Sequence, residues 1–252
     1  MEIRHKTCCV TGHRPKGFPW NYTYNPGEIY DAAFERTLTR TLRALIADGY
    51  DYFICGGAIG VDLAFGLEVI HLRDYEFPHI QLEVAVPCPG QSKRWSHQEQ
   101  AMYKELIELA DEVNVISPSY TKFCFHKRNE YMVDKSDLVL VVWNEEEKGG
   151  TYYTYQYAMR NNKQIHRILL NNVRYLADLE EISIVRDQIK KFGEPLPPVE
   201  SPAFEEFVAK HNLNADYEYT EHDKSVVQAA IDKITLVNER RKKYLEKRRP
   251  IP

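Results

Sequence analysis

Two glycine-rich turns in this sequence follow apolar runs of the kind that form buried strands. Gly56–Asp62 (GGAIGVD) follows the run that ends at Cys55, and Gly149–Thr151 (GGT) follows Leu138–Trp143. Glycines at the carboxyl end of a parallel strand let backbone amides approach a ligand, and the amino end of the next helix favours phosphate. Two such turns in one sheet predict a nucleotide-type ligand.

The first turn is neither a dinucleotide GxGxxG fingerprint nor a phosphate-binding loop with its lysine. Its glycines permit a tight passage from strand to helix, with amides facing the ligand. Asp62 lies in the first turn of the helix, where it either caps those amides or accepts a ribose hydroxyl. Capping is the commoner role for an aspartate at that position.

The segment Thr11–Pro15 (TGHRP) ends the first predicted strand. Gly12 allows the backbone to turn closely past a ligand, and Arg14 presents a planar fork that suits phosphate or carboxylate. A Gly-Pro turn with an incidental surface arginine explains the same residues equally well.

A loop after the third predicted strand, Pro87–Trp95, carries two cations and a large ring. Lys93 and Arg94 suit phosphates, and Trp95 suits stacking on a base. Trp95 serves equally well as the anchor of its loop. The position of the loop at the ligand end of the sheet favours the binding role.

Arg128 and Asn129 lie near the middle of a predicted helix, and Arg128 shares a face with Met132. A long cation on that face is costly unless it reaches a ligand or a carboxylate. Asp134 or Asp137 is the carboxylate that a purely structural interpretation requires.

The predicted ligand-binding set combines these turns, loops and helix positions. It comprises Thr11, Gly12, Arg14, Gly56, Gly57, Gly60, Asp62, Lys93, Arg94, Trp95, Arg128, Asn129, Gly149, Gly150, Thr151 and Thr154. No catalytic residue is assigned. No metal site is predicted either, because the histidines lack ligand spacing.

Alternating strand-like and helical segments predict an α/β fold: a Rossmann-like, doubly wound, mainly parallel sheet with helices on both faces. Strands are expected at Lys6–Thr11, Tyr52–Cys55, Gln81–Val86, Glu112–Ile116, Leu138–Trp143 and Gln164–Leu169. Helices are expected at Glu28–Asp48, Val61–Leu72, His97–Ala110, Thr121–Lys135 and Tyr152–Asn161.

The pattern changes after about residue 172, which predicts a domain of residues 1–171 followed by a mostly helical C-terminal extension of residues 172–252. Tyr175–Lys191 is expected to be a helix, Gly193–Pro198 a break, and Lys224–Lys247 an amphipathic final helix. This tail is expected to pack against the sheet domain or a second subunit. A solvated basic helix end is the simpler explanation of Glu239–Arg249, ahead of a nucleic-acid patch.

Composition sets limits on function and compartment. The chain has 252 residues, 43% hydrophobic and 28% charged, as is ordinary for a soluble protein. Its net charge is −4, although Glu239–Arg249 alone carries seven positive and two negative charges. Neither a secretory signal nor a membrane span is expected, so the predicted compartment is the cytoplasm. The five scattered cysteines favour buried, reduced thiols.

Taken in order, these motifs resemble the SLOG superfamily, the Rossmann-like group that includes the Smf/DprA and LOG proteins, and are most similar to its YpsA-like branch. The matching pieces are TGHRP, GGAIGVD, RNEYMVDKSD at 128–137 and GGTYYTYQYA at 149–158. The resemblance covers roughly residues 5–170. It implies a nucleotide or a derivative such as ADP-ribose bound across the carboxyl ends of the strands, with a homodimer as one option.

LOG hydrolases carry a pattern of Arg-Lys-x-x-Met followed by Gly-Gly-x-Gly-Thr-x-x-Glu. Its arginine and glutamate support cleavage of an N-glycosidic bond. Arg128 and Met132 fit the first half, with Asn129 in place of the lysine. With Thr154 aligned to the family threonine, Tyr157 stands where the glutamate belongs. A phenol does not replace a carboxylate beside an oxocarbenium-like centre near neutral pH.

The favoured function is therefore a sensor or adaptor that binds a nucleotide-derived small molecule. The enzyme alternative is a nucleotide hydrolase or transferase, in which Glu68, Asp62 or Asp134 supplies the missing carboxylate. A third alternative is DprA-like binding of single-stranded DNA, which the acidic balance outside the tail disfavours. No cofactor is certain.

Overall fold

A computed structural model of the chain describes residues 5–179 and, beyond them, only residues 191, 194, 203, 206 and 210. The chain divides into two units, Met1–Ile182 and Ser183–Pro252. Apart from those isolated residues, the predicted break, the final helix and the basic segment Glu239–Arg249 lie outside the described residues. The predicted domain boundary at 171/172 stays a prediction.

Six parallel strands form one sheet in the order β4-β3-β2-β1-β5-β6. Their bounds are β1 Thr7–Gly12, β2 Tyr52–Cys55, β3 Gln81–Val86, β4 Glu112–Val115, β5 Leu138–Trp143 and β6 Gln164–Leu169. The order reverses between β1 and β5, and α/β sheets bind ligands at such a reversal. The predicted Rossmann-like architecture is confirmed.

Residues 170–179 are helical, and they include the first five residues of the helix predicted at Tyr175–Lys191. Five further α-helices cover the two faces of this sheet in the described part of the chain. They are α1 Ile29–Ala47, α2 Val61–Tyr75, α3 His97–Leu109, α4 Cys124–Lys135 and α5 Gly149–Arg160. The first three pack on one face and the last two on the other. Because both faces are covered, β5 is buried along its whole length, which explains its continuous apolar run.

Two helix starts differ from the prediction by three residues, whereas α1 begins one residue later than predicted. Gly149, Gly150 and Thr151 form the first turn of α5 rather than a loop before it, and α4 begins at Cys124 rather than Thr121. Glycine has low helix propensity, which makes a glycine-led helix start hard to recognise in a sequence. The backbone amides at the amino end of α5 therefore belong to the glycine pair itself.

The amphipathic helix α1 is the longest of the five at 19 residues. Its buried side chains include Ala33, Leu38, Leu42, Leu45 and Ile46, and Gly49 follows its end with φ of +88°. No helix within the described residues is long and apolar enough to cross a membrane.

The segment between β1 and α1 is organised by one buried carboxylate. Asp31 is completely buried and accepts hydrogen bonds from Trp20 Nε1 at 2.8 Å, from the N–H and hydroxyl of Thr23, and from the Asn25 N–H. Four donors on one carboxylate hold this segment against α1. Tyr24 in the same segment reaches the glycine turn before α2, where its hydroxyl accepts the Gly60 N–H.

Candidate functional site

A cavity of about 370 Å³ opens where the sheet order reverses, beside the carboxyl end of β1 and between α4 and α5. This volume falls in the range of small-molecule sites. Its walls are Val10, Thr11, Gly12, His13, Arg14, Gly17, Ala58, Asp62, Phe125, Arg128, Asn129, Met132, Gly150, Thr151 and Thr154. Nine of the sixteen predicted ligand-binding residues are thus brought together.

The guanidinium of Arg128 lies deep in this cavity wall. The residue is only 6% exposed, and its Nη1 lies 3.5 Å from Asp62 Oδ1. Its Nε and Nη1 atoms have no hydrogen-bond partner. A buried cation with unused donors is costly unless a ligand completes its contacts.

The carboxylate beside Arg128 is Asp62, which corrects the expectation that Asp134 or Asp137 fills that role. Asp134 accepts the Tyr157 hydroxyl at 3.0 Å, and Asp137 accepts the Thr7 N–H at 2.9 Å. Six positions along a helix separate side chains by about 120°. Asp134 therefore lies on a different face of α4 from Arg128.

Gly56 is required by the arginine that passes over it. A Cβ atom added at this position would overlap Arg128 Nη1 and lie 2.7 Å from Asp62 Oδ1. Gly56 does not line the cavity. The first glycine of the turn thus makes room for the guanidinium, and Arg128 rather than the Gly56 backbone forms the cavity wall.

Asp62 connects the arginine to the glycine turn. Its Oδ1 atom accepts the Gly56 N–H at 2.7 Å. Burial raises the pKa of this carboxyl above its ordinary value, while Arg128 and the Gly56 N–H oppose that shift. The charge of Asp62 is therefore supported by the same guanidinium that faces the cavity.

The amino ends of α2 and α5 differ in how their amides are used. At α2, the Gly60 N–H donates to Tyr24, the Val61 N–H to His13 O at 3.1 Å, and the Leu63 N–H to Ala58 O. At α5 no side chain caps the helix, and Gly150 and Thr151 line the cavity. The amides at the amino end of α2 are therefore engaged within the protein, whereas no side chain caps the amino end of α5 beside the cavity.

Asn129 and Thr154 join the two helices across the cavity floor. Asn129 Nδ2 donates to Thr154 Oγ1 at 2.8 Å, and the Thr154 hydroxyl donates to Gly150 O at 2.8 Å. This chain of hydrogen bonds fixes the first turn of α5 relative to α4. Thr154 is buried, so its hydroxyl holds the first turn of α5 in place.

Six residues of the cavity wall lie outside the predicted set, and two of them, His13 and Phe125, have side chains suited to a ligand. The buried Nε2 of His13 has no hydrogen-bond partner, and burial lowers the pKa of this histidine. A largely neutral imidazole there is available to a ligand as donor or acceptor. Phe125 supplies an aromatic wall one turn before Arg128. The only available signal was their position, directly after β1 and on the face of α4 that carries Arg128.

Seven of the predicted residues do not line the cavity. They are Gly56, Gly57, Gly60, Lys93, Arg94, Trp95 and Gly149. The Trp95 ring packs edge-on against Tyr103 of α3, with ring centroids 5.3 Å apart. From the same loop it is Gln91 that contacts the glycine turn, through the carbonyl oxygens of Gly56 and Gly57.

The three carboxylates of the enzyme alternative lie in different places. Glu68 accepts the Thr39 hydroxyl at 2.7 Å on the face that α1 and α2 cover. Asp134 accepts the Tyr157 hydroxyl on the outer side of α4 and α5. Only Asp62 lines the cavity, and it is engaged by Gly56 and Arg128.

Comparison with known proteins places this geometry in a family context. The YpsA family model, described as the YspA SLOG family, matches residues 8–174, a span that contains both glycine turns. The chain is similar to a UPF0398 protein of Halalkalibacterium halodurans, with 30% identity over 155 residues, 59% of this chain and 82% of the relative. UPF0398 proteins of Bacillus thuringiensis strain Al Hakam and Bacillus cereus strain AH187 are each 27% identical over 186 residues, 70% of this chain and 97% of the relative.

Proposed function

This chain belongs to the YspA SLOG family, and from that premise we propose that it binds a nucleotide or nucleotide-derived small molecule as a sensor or adaptor. The ligand occupies the cavity beside β1, with its phosphate at the amino end of α5. The observation that carries the proposal is the buried guanidinium of Arg128, in which Nε and Nη1 have no hydrogen-bond partner.

The charges around the cavity support an anionic ligand. The cavity wall contains two arginines, Arg14 and Arg128, and one carboxylate, Asp62. The uncapped amino end of α5 adds a partial positive charge. Arg128 and Asp62 offset each other, so the net charge that remains is Arg14 and the helix end. A phosphate satisfies both.

The other walls suit the rest of a nucleotide. The ring of Phe125 provides an apolar face for a base, and His13 and Asp62 offer polar atoms to a sugar. Direct stacking of a base on an aromatic ring stabilises binding by about 1–3 kcal/mol. The cavity volume of about 370 Å³ suits a small nucleotide better than a polymer.

A binding role is favoured over hydrolysis by the state of the carboxylates. Cleavage of an N-glycosidic bond calls for a carboxylate placed against the sugar. Asp62 already accepts the Gly56 N–H and faces Arg128, while Glu68 and Asp134 do not line the cavity. Ligand binding without hydrolysis therefore requires no residue beyond those that line the cavity.

Thermal unfolding in the presence of candidate ligands is the direct test. The panel consists of nucleoside mono-, di- and triphosphates, ADP-ribose, NAD and a short single-stranded oligonucleotide. A bound nucleotide at 100 times its dissociation constant is expected to stabilise the folded state by about 2.7 kcal/mol, enough to raise the midpoint clearly.

The outcome across the panel discriminates among the alternatives. A shift with one nucleotide supports the proposal, and chromatography of the same mixture then shows whether the compound is consumed. Release of free base would establish hydrolysis instead. A shift with the oligonucleotide alone would support DNA binding, and no shift with any compound would contradict the proposal.

A further inference from the structure

A second cavity, of about 290 Å³, lies on the other face of the sheet, between the segment before α1 and helices α1, α2 and α3. It shares no lining residue with the cavity beside β1. Its walls are Tyr22, Tyr24, Glu35, Leu38, Ala64, Leu67, Glu68, His71 and Met102. None of these is a lysine or an arginine.

Two carboxylates face this cavity from neighbouring helices. Glu68 of α2 accepts the Thr39 hydroxyl at 2.7 Å. The backbone carbonyl of Glu35 in α1 accepts the Thr39 hydroxyl, but its carboxylate has no hydrogen-bond or ion-pair partner among the residues that the structure describes. Burial, aided by Asp31 and Glu68, raises the pKa of Glu35 to about 7. Burial likewise raises the pKa of Glu68.

The hydroxyl of Tyr22 is a second observation that points to a ligand site. Tyr22 is 4% exposed and lines the cavity, and its buried hydroxyl has no hydrogen-bond partner. Burial raises the pKa of this hydroxyl, and Glu35, which lines the same cavity, adds to the shift. Buried hydroxyls normally have partners, so this hydroxyl is suited to contact a ligand.

The remaining walls define what the ligand looks like. Leu38, Ala64, Leu67 and Met102 provide an apolar surface, and Tyr24 adds an aromatic ring. No group of His, Cys, Asp and Glu that is able to hold a metal ion occurs among the described residues. The combination suits a cationic head with a short hydrocarbon body rather than a bare metal ion.

We propose that this cavity binds a small organic cation, a primary alkylammonium, with its charged head between Glu35 and Glu68 and its alkyl chain against Leu67 and Met102. The Tyr22 hydroxyl completes the contacts of the head. This proposal does not depend on the proposed nucleotide binding, and each of the two is tested separately.

The other charged groups near the head leave room for a ligand cation. On α1, Asp31 is already saturated by four hydrogen bonds. His71 of α2 and Arg43 of α1 favour the ionised form of Glu68, whereas Glu76 opposes it. No cation among the lining residues faces Glu35, so a ligand cation there would favour the ionised form of this half-buried carboxylate.

The pH dependence of stability tests the state of Glu35 without any ligand. Because the pKa of folded Glu35 is raised to about 7 from an ordinary 4.5, the folded state holds the extra proton between those values. Stability is then lost as the pH rises through that window. Urea unfolding from pH 4.5 to 8 is expected to show a smaller loss for Glu35→Gln than for the wild type, and equal losses would contradict this.

Binding is tested by calorimetry with n-butylammonium, and n-butanol serves as its uncharged counterpart. Butylammonium is expected to bind and butanol not to bind. Glu35→Gln is expected to weaken butylammonium binding at least tenfold, whereas Glu147→Gln, an exposed charge outside the cavity, is expected to leave it unchanged. Near pH 7, binding is expected to release protons, since the cation favours ionised Glu35.

Other outcomes overturn the proposal. Equal binding of butylammonium and butanol would make the cavity a plain apolar pocket, and no binding of either would rule out the site. An unchanged affinity in Glu35→Gln would remove the assigned contact. Circular dichroism of the unliganded variants confirms that each retains the fold before binding is compared.

Discussion

Replacement of Gly60 by alanine is expected to lower the free energy of unfolding by about 3–5 kcal/mol, which sums backbone strain and steric overlap. Gly60 adopts φ of +94° and ψ of −128°, a region in which residues with a Cβ atom are strained. The added Cβ would also overlap His13 O and lie 2.8 Å from Arg14 Cα. Both neighbours are backbone atoms, so no side-chain rotation relieves the contact.

Urea unfolding of three glycine variants measures this effect. Gly149→Ala has φ of +81° but open space around its Cβ, and is expected to lose only about 1–2 kcal/mol. Gly150 has neither a positive φ nor a close neighbour at its Cβ position. The free energy of unfolding of Gly150→Ala is expected to lie within about 0.5 kcal/mol of the wild-type value. If Gly60→Ala were no less stable than Gly149→Ala, the close approach of α2 to the end of β1 would be wrong.

Arg128→Ala is expected to weaken nucleotide binding about tenfold to 150-fold, the equivalent of about 1.5–3 kcal/mol for hydrogen bonds to a charged group. The guanidinium lies in the cavity wall with Nε and Nη1 unpartnered. Titration of the nucleotide identified by thermal unfolding gives the affinity. Lys127→Ala is the matched control, since it removes an exposed charge from the adjacent position outside the cavity lining.

Stability must be separated from binding in this variant. Removal of Arg128 leaves Asp62 as a buried carboxylate without its cation, and loss of one partner of a buried pair destabilises by about 3–5 kcal/mol. The double variant Arg128→Ala/Asp62→Asn is expected to regain part of that stability without regaining affinity. Wild-type affinity in Arg128→Ala would contradict the proposed role of the guanidinium.

The sheet could be predicted closely because its signals are local. Four strands begin and end where the apolar runs predicted, namely Tyr52–Cys55, Gln81–Val86, Leu138–Trp143 and Gln164–Leu169. Strands buried on both faces are continuous apolar runs, and turn residues mark their ends. The family resemblance rested on the same local motifs, and the match to the YspA SLOG family confirms it.

The partners within the site could not be predicted in the same way. Arg128 was expected to pair with a carboxylate nearby in the chain. Its partner is instead Asp62 of α2, a helix that packs on the other face of the sheet. Burial of Arg128 was predictable from the helix face it shares with Met132. The identity of its neighbour depends on tertiary packing, which spacing along the chain does not encode.

The Pro87–Trp95 loop shows a second reason for the difference. Residue types alone favoured Trp95 as a stacking platform, but its ring lies against Tyr103, while the smaller Gln91 contacts the glycine turn. A large ring suits a protein neighbour as well as it suits a base. Whether Lys93 and Arg94 take part in ligand binding stays a prediction.

The overlap between a Cβ atom at position 56 and the Arg128 guanidinium has a consequence for the descent of this family. The two positions cannot vary independently, because an arginine at 128 in this rotamer excludes every residue at 56 except glycine. In relatives that lack the arginine, this steric constraint on position 56 is absent. Across relatives, substitution of the arginine should therefore precede or accompany substitution of the glycine, and the pair should be inherited as one unit.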